Sequence, residues 1–202
     1  MEAYLEGKRL LLNPSKSIGK GGEADIYDIG LGRALKIFKP PNHPDLQGDI
    51  KEQQVARARI EQHQRKLPAF PTGLPPRVVV PEVLAFDRSG QKIIGYSMRF
   101  LRGAEVLMLY ADKSYRERGI SNEEVLKIMT GLHETVAGVH SKQVVMGDFN
   151  DLNVMVINTD AFLIDADSFQ FGSYMSPMFT ARFVDPTLCD PRLDSLILVK
   201  PH

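Results

Sequence analysis

The sequence predicts an α+β protein in which a small antiparallel sheet lobe precedes a helical lobe. Three observations predict it. Short apolar runs broken by glycines fill residues 9–38, and two segments of helical composition stand apart from them, at 49–67 and after Ser121. A polar loop followed by a two-run hairpin closes the series at 146–164. Strands and helices are therefore segregated along the chain, which is the α+β pattern and not the alternation of a parallel sheet.

Residues 10–12, 26–29 and 34–38 are apolar runs of strand length, and Gly30-Leu31-Gly32 is a turn signal between the last two. The segment reads as an antiparallel meander. Pro40, Pro41 and Pro44 end that pattern, because proline has no N–H to give a ladder. From 49 to 67 the chain turns to Lys, Glu, Gln, Arg and Ala, which favour helix. Val55, Ala56, Ile60 and Leu67 recur there at helical spacing and predict one buried face. A proline-punctuated loop, 68–76, leads to strands predicted over 78–86 and 93–100, joined by Asp87-Arg88-Ser89-Gly90.

Ser121-Asn122-Glu123-Glu124 has the capping-box sequence that opens a helix. Val125, Ile128, Met129, Leu132, Val136 and Val139 follow at core-facing spacing over about twenty residues. The loop 146–153 then leads to a strand at 154–157, a turn at Asn158-Thr159-Asp160 and a strand at 162–164. After Phe171 the pattern is irregular.

With 202 residues, 43% of them hydrophobic and 25% charged, the chain can bury a core of ordinary globular composition. Its 25 basic and 25 acidic residues cancel, so no global field favours nucleic acid or a membrane surface. The single Cys189 has no partner for an internal disulfide, and no Cys/His cluster has zinc spacing. A reducing, cytoplasmic setting is expected. No apolar run approaches the roughly 18 residues that span a bilayer. Met1-Glu2-Ala3-Tyr4 lacks the basic and apolar regions of a signal peptide.

Four groups of residues carry chemistry. In Gly19-Lys20-Gly21-Gly22-Glu23-Ala24-Asp25-Ile26, glycines let the backbone approach phosphates and point N–H groups at them, though a plain hairpin turn has the same composition. In Ala34-Leu35-Lys36-Ile37, a lysine between apolar neighbours on a strand needs an anionic partner or a route for its amine to water. In Met146-Gly147-Asp148-Phe149-Asn150-Asp151-Leu152-Asn153, Asp148 has the chemistry of a proton acceptor and Asn153 that of a metal ligand; Asx turns use the same residues. Phe162-Leu163-Ile164-Asp165-Ala166-Asp167 is an apolar strand ending in two carboxylates, which serve a divalent cation or solvate a strand end.

Taken in order, these groups resemble the signature series of the protein kinase superfamily over nearly the whole chain. Gly19-x-Gly21-x-x-Ala24-x-Ile26 matches the glycine-rich loop, and Ala34-x-Lys36 matches the strand lysine. Met98-Arg99-Phe100-Leu101-Arg102-Gly103 looks like gatekeeper and hinge, implying adenine contacts from the Arg99 carbonyl and Leu101 amide. Asp148 matches the catalytic base, Asn153 a metal-holding Asn and Asp165 the metal-binding Asp, while Thr180-x-x-Phe183-x-x-Pro186 resembles the end of an activation segment. For the helix acid that would pair with Lys36, Glu52 shares the stripe of Val55 and Ala56, whereas distance to Phe70-Pro71 favours Glu61; Glu52 is the choice here.

The resemblance implies a two-lobed fold, with a sheet lobe over 1–100 and a partial helical lobe over 101–202. It implies ATP and Mg²⁺ as cofactors, ATP lying between the lobes, and phosphoryl transfer to a protein Ser/Thr hydroxyl. The departures imply alternatives: a nucleotide-sensing pseudokinase or a small-molecule kinase. Ala24 replaces the third glycine, Met146-Gly147 replaces His-Arg, Asn150 replaces a lysine, Asp165-Ala166-Asp167 replaces Asp-Phe-Gly, and Thr187 stands for a glutamate. Gly147-Asp148-x-Asn150-x-x-Asn153 with Ile164-Asp165-x-Asp167-Ser168-x-Gln170 resembles bacterial kinase-like proteins, some joined to helix-hairpin-helix DNA-binding regions. Sixteen residues follow Pro186 where the family has further helices, so an exposed apolar patch on the 125–139 helix and self-association through it are expected.

Overall fold

The computed structural model describes residues 1–176 together with Thr180 and Phe183. Pro186, Thr187 and Cys189 lie outside the described residues. The structure is α+β, with antiparallel sheets and few helices. It divides into two compact units, one of Met1–Phe70 and Pro81–Phe100, the other of Pro71–Val80 and the described residues from Leu101 onward.

The first unit holds β1 (Glu2–Leu5), β2 (Lys8–Leu11), β3 (Gly19–Lys20), β4 (Ala24–Gly30), β5 (Arg33–Phe38), β6 (Val83–Phe86) and β7 (Ile93–Arg99). They form one antiparallel sheet in the order β2-β1-β6-β7-β5-β4-β3. Two tight turns set its hairpins. Glu6-Gly7 (φ 48° and 76°) joins β1 to β2, and Leu31-Gly32 (φ 53° and 71°) joins β4 to β5; paired positive φ values give the turn twist that hairpins favour. β1 was not among the predicted strands, because Glu-Ala-Tyr-Leu carries little β-forming signal of its own.

Both sheet faces are covered, which explains the near-continuous apolar run of β5. One face buries Ala3, Leu5, Tyr27, Leu35, Ile37 and Ala85. The other buries Ala24, Phe38, Ile93 and Tyr96 with Ile60 and Leu67, which come from the first helix and its C-terminal cap. That helix, α1 (Ile50–Lys66), starts where Asp49 accepts the Glu52 N–H at 3.0 Å and ends on Arg65 and Lys66, cations suited to a helix C-terminus. The predicted stripe needs correction. Val55 and Glu52 are exposed, and the buried positions are Ala56, Ile60, His63 and Lys66, so the inward face is turned from the apolar pattern by two polar residues with large carbon frames.

Gly95 marks a close approach between strands. A Cβ built there would overlap the Lys36 carbonyl oxygen and stand 3.0 Å from its carbon. Gly95→Ala is therefore expected to cost about 1–3 kcal/mol as overpacking, read as a lower midpoint in urea melts with an unchanged slope. An unchanged midpoint would mean that the two strands have room to part.

The second unit contains β8 (Glu105–Val106), β9 (Val154–Ile157) and β10 (Asp160–Leu163), in the order β10-β9-β8, with the short helix α2 (Lys113–Arg116) and the long helix α3 (Asn122–His140). The capping box at Ser121 is formed in both directions: Ser121 Oγ accepts the Glu124 N–H and Glu124 accepts the Ser121 N–H. The run predicted as one strand over 78–86 splits at Pro81. Only 83–86 joins the first unit's sheet, while Val79 donates to the Leu163 carbonyl and Leu163 donates to the Arg77 carbonyl, each at 2.8 Å. Val78 thereby lies parallel to β10, and Arg77 pairs with Asp160.

The exposure expected on α3 is found only in part. Ile128, Leu132 and Val139 are buried, Val125 and Val136 half-buried, and of the predicted positions only Met129 is exposed. Gly131 and Gly138, seven residues apart and so on one helix face, let the segment 75–77 come close: a Cβ at either would stand 2.7 Å from Arg77 Nη1 or Pro75 Cγ. Glycine inside a helix costs about 1 kcal/mol relative to alanine, which close packing here offsets. Leu126 and Met129 form the exposed apolar part of the helix. Among the described residues no helix is long and apolar enough to cross a membrane.

Candidate active site

In the first unit the sheet register assembles the glycine turn and the lysine. Gly19 pairs with Ile26, Ile26 with Lys36, and Lys36 with Tyr96. Directly opposed residues project to the same face, so these four form one row. Ala34, two residues before Lys36 and paired with Met98, projects to that face as well. Lys20 alternates to the other face, opposite Asp25. Lys36 is only 5% exposed, and its Nζ lies 5.9 Å from the Tyr96 ring centroid, a cation–π distance. Arg99 ends β7 and Leu101 opens the turn that follows, with the Ala104 N–H donating to the Leu101 carbonyl.

Gly21-Gly22 lies at the tip between β3 and β4, and neighbouring elements hold it. Gly21 N–H donates to the Ala24 carbonyl at 3.0 Å. Arg59 of α1 pairs with Glu23 at 2.8 Å. Lys39, just past β5, reaches the Gly21 carbonyl and Asp45, both at 2.6 Å. The Lys39 hydrogen bond holds the Asp45 carboxyl below its ordinary range. Glu52 and Glu61 are both exposed; the ionisable side chains that α1 buries are His63 and Lys66.

In the second unit the loop before β9 folds around Asp148. Asn150 Oδ1 accepts the N–H groups of Leu152 and Asn153 at 2.9 and 3.1 Å, an Asx turn that fixes the loop's curvature. Asn153 Nδ2 donates to the Asp148 carbonyl at 2.8 Å and to its carboxylate at 3.2 Å. The local turn and the convergent site, alternatives in the sequence, are one arrangement here. The Asn153 carbonyl accepts the Ile164 N–H at 3.0 Å, which brings Asp165 beside Asn153.

Asp165 has left-handed backbone angles (φ 62°, ψ 36°), rare for a residue with a Cβ. Its carbonyl accepts the Ser168 N–H and hydroxyl at 3.0 and 2.8 Å, so the turn that follows fixes that conformation. Thr180 meets the loop as well: its hydroxyl donates to Asp148 Oδ1 at 2.7 Å and accepts from Asn150 Nδ2 at 3.2 Å.

Gly147 has a packing reason. A Cβ there would overlap the Oγ and Cβ of Ser176 and stand 2.8 Å from the Ser168 carbonyl oxygen. An arginine before Asp148, as in the resembling family, has no room. The sequence showed this departure and gave no sign of the serine that fills the space.

No family model matches the chain. It is similar to Protein kinase YegI of Escherichia coli O157:H7, with 26% identity over 187 residues, which is 88% of this chain and 27% of that protein. The same-named protein of Escherichia coli strain K12 is 26% identical over 183 residues, 86% of this chain and 26% of that protein. The relationship is distant and kinase-like. The chain spans about a quarter of the length of these curated relatives.

Sequence reasoning missed Lys39 as a support of the glycine turn, having read Pro40 and Pro41 beside it only as the end of the sheet. It also missed the contact of Thr180 with Asp148, thirty-two residues away in sequence. No local pattern announces a contact of that separation.

Proposed function

We propose that the chain is a kinase-type phosphoryl-transfer domain that uses ATP and Mg²⁺ and acts on an alcohol hydroxyl of the protein Ser/Thr class. The two units correspond in this reading to the two lobes expected from the sequence. The observation that carries it is the hydroxyl–carboxylate contact at Asp148: Oδ1 accepts an alcohol proton at 2.7 Å while Asn153 holds the same residue from its other side. That is the ground-state arrangement a base needs to orient an attacking hydroxyl and take its proton.

The donor sets suit the cofactors. Asn153 spends its amide nitrogen on Asp148, which leaves its amide oxygen as a hard donor for Mg²⁺, and Asp165, next in sequence to the Ile164 that bonds the Asn153 carbonyl, would add a carboxylate. Among the described residues there is no group of three or more His, Cys, Asp or Glu side chains fit for a metal. Mg²⁺ sites of this kind need few protein ligands, because phosphates and waters complete them. When bound, ATP supplies the transferred phosphoryl group and Mg²⁺ offsets its charge. Lys36 would hold phosphate oxygens, the N–H groups of the glycine turn would donate to them, and Met98, Arg99 and Leu101 would border the adenine. Catalysis on this reading is mostly positioning and charge stabilisation.

The test is a melt with Mg²⁺ and a non-hydrolysable ATP analogue. Ligand at a hundred times its Kd should add about 2.7 kcal/mol to stability, seen as a raised Tm. Lys36→Ala and Asp165→Ala should each shrink the shift. No shift at millimolar analogue would end the nucleotide assignment. A nucleotide-binding module without transfer activity is the second reading, favoured by Met146-Gly147 in place of His-Arg and Asp165-Ala166-Asp167 in place of Asp-Phe-Gly. Turnover separates the two.

A further inference from the structure

We propose that Lys39 is a positioning residue for the glycine turn, setting the orientation of the Gly21-Gly22 peptide so that its N–H is presented to a phosphate oxygen. This rests on the nucleotide reading above and adds a residue that the kinase resemblance did not supply.

Lys39 is 4% exposed, so its ammonium requires anionic or carbonyl partners. It has a set of them. Nζ donates to the Gly21 carbonyl and to Asp45 Oδ2, each at 2.6 Å, and Asp25 Oδ1 lies 3.8 Å away. The backbone of the same residue holds the turn too, because the Lys39 N–H donates to the Glu23 carbonyl at 2.8 Å. Asp45 belongs to the short turn Pro44–Leu46, where His43 Nδ1 accepts the Asp45 N–H at 3.2 Å. The proline-rich stretch after β5 thus presents a carboxylate to Lys39, and Lys39 carries the link to the glycines.

Peptide geometry turns this link into a direction. In a trans peptide the C=O and the following N–H point opposite ways. With the Gly21 carbonyl drawn to Lys39, the Gly22 N–H is turned away from Lys39 and its carboxylates. Lys39 sits with Asp25, which shares the sheet face of Tyr27 and Ile37; Lys36 projects from the opposite face. The Gly22 amide is therefore presented on the side of Lys36. A Gly-Gly peptide has little steric preference between this orientation and its flip, since neither residue has a Cβ. No Cβ at Gly22 would meet anything within 4 Å, so packing at that residue does not choose for it either. The hydrogen bond from Lys39 does.

The experiment compares Mg²⁺-ATP with adenosine as titrants of the full chain, in wild type, Lys39→Met, Lys39→Arg and Asp45→Asn. Lys39→Met should weaken ATP about tenfold, as expected for one hydrogen bond to a charged group, and leave adenosine binding within about twofold. Lys39→Arg should recover most of the ATP affinity, and Asp45→Asn should lose a smaller part of it. If Lys39→Met does not fold, Asp45→Asn carries the test with the same ATP-to-adenosine ratio as readout. Equal losses for ATP and adenosine, or none for ATP, would overturn the proposal while the nucleotide reading stands. Wild-type protein that binds neither titrant would overturn both.

Discussion

Asp148→Asn is expected to lower phosphoryl transfer by about 10²–10⁴-fold, the range for a positioned general base, with the nucleotide Kd nearly unchanged. The carboxylate faces the Thr180 hydroxyl and the Asn153 amide; in the proposed mechanism Lys36 holds the phosphates. Asparagine keeps the size and one oxygen of the side chain, removes its charge and its capacity to take a proton, and leaves only one of the two oxygens that accept from Thr180 and Asn153. The measurement pairs single-turnover transfer with equilibrium nucleotide binding, so that chemistry and affinity are read separately. Loss of nucleotide affinity together with turnover would show that Asp148 supports the cofactor and not the hydroxyl. Wild-type protein that binds nucleotide and transfers nothing would select the module without transfer activity.

Gly147→Ala is expected to be among the most damaging single-methyl changes in the second unit. The new Cβ would overlap Ser176 and press on the Ser168 carbonyl, at the residue that leads directly into Asp148. Overpacking in a well-filled site costs about 1–3 kcal/mol and moves backbone, so both the Tm and the hydroxyl contact at Asp148 should suffer. Ser176→Gly in the same chain should recover part of the loss by removing the overlapped atoms, leaving the pressure on Ser168. A double-mutant cycle on urea midpoints reads that coupling. Additive effects of the two substitutions would mean that the loop moves away from Ser176 instead of pressing on it.

The elements readable in the sequence are those whose signal is local. Ser121 and Glu124 announce their reciprocal hydrogen bonds, Leu31-Gly32 announces its hairpin, and the Asp148-to-Asn153 spacing announces a loop that folds back on itself. What escaped depends on distant partners or on side chains of mixed character. Val78 and Val79 look continuous with β6 until Leu163 claims them. The inward face of α1 follows the periodicity at Ala56, Ile60 and Leu67 and departs from it at Val55, which the pattern counts as core, and at His63 and Lys66, which it counts as surface; the His63 and Phe38 ring centroids are 4.5 Å apart. Glu52, the acid expected for Lys36 from that same stripe, lies with Val55 on the exposed side of the helix.

The pairing of 77–79 with β10 has a consequence for synthesis. Arg77 and Asp160 are separated by 83 residues, so this contact closes a long stretch of chain. All seven strands of the first sheet have been made once Arg99 has left the ribosome, and two of them, β6 and β7, come after the segment that holds Val78 and Val79. That segment must wait for Leu163 as a loop hanging from a finished sheet. At a translation rate of about 5–20 residues per second the delay is on the order of several seconds. During it Val78 and Val79, almost fully buried in the folded protein, lack the strand that they pair with. The nascent chain thus carries its own window of vulnerability, at which a chaperone or a protease would find it before the hairpin of β9 and β10 arrives.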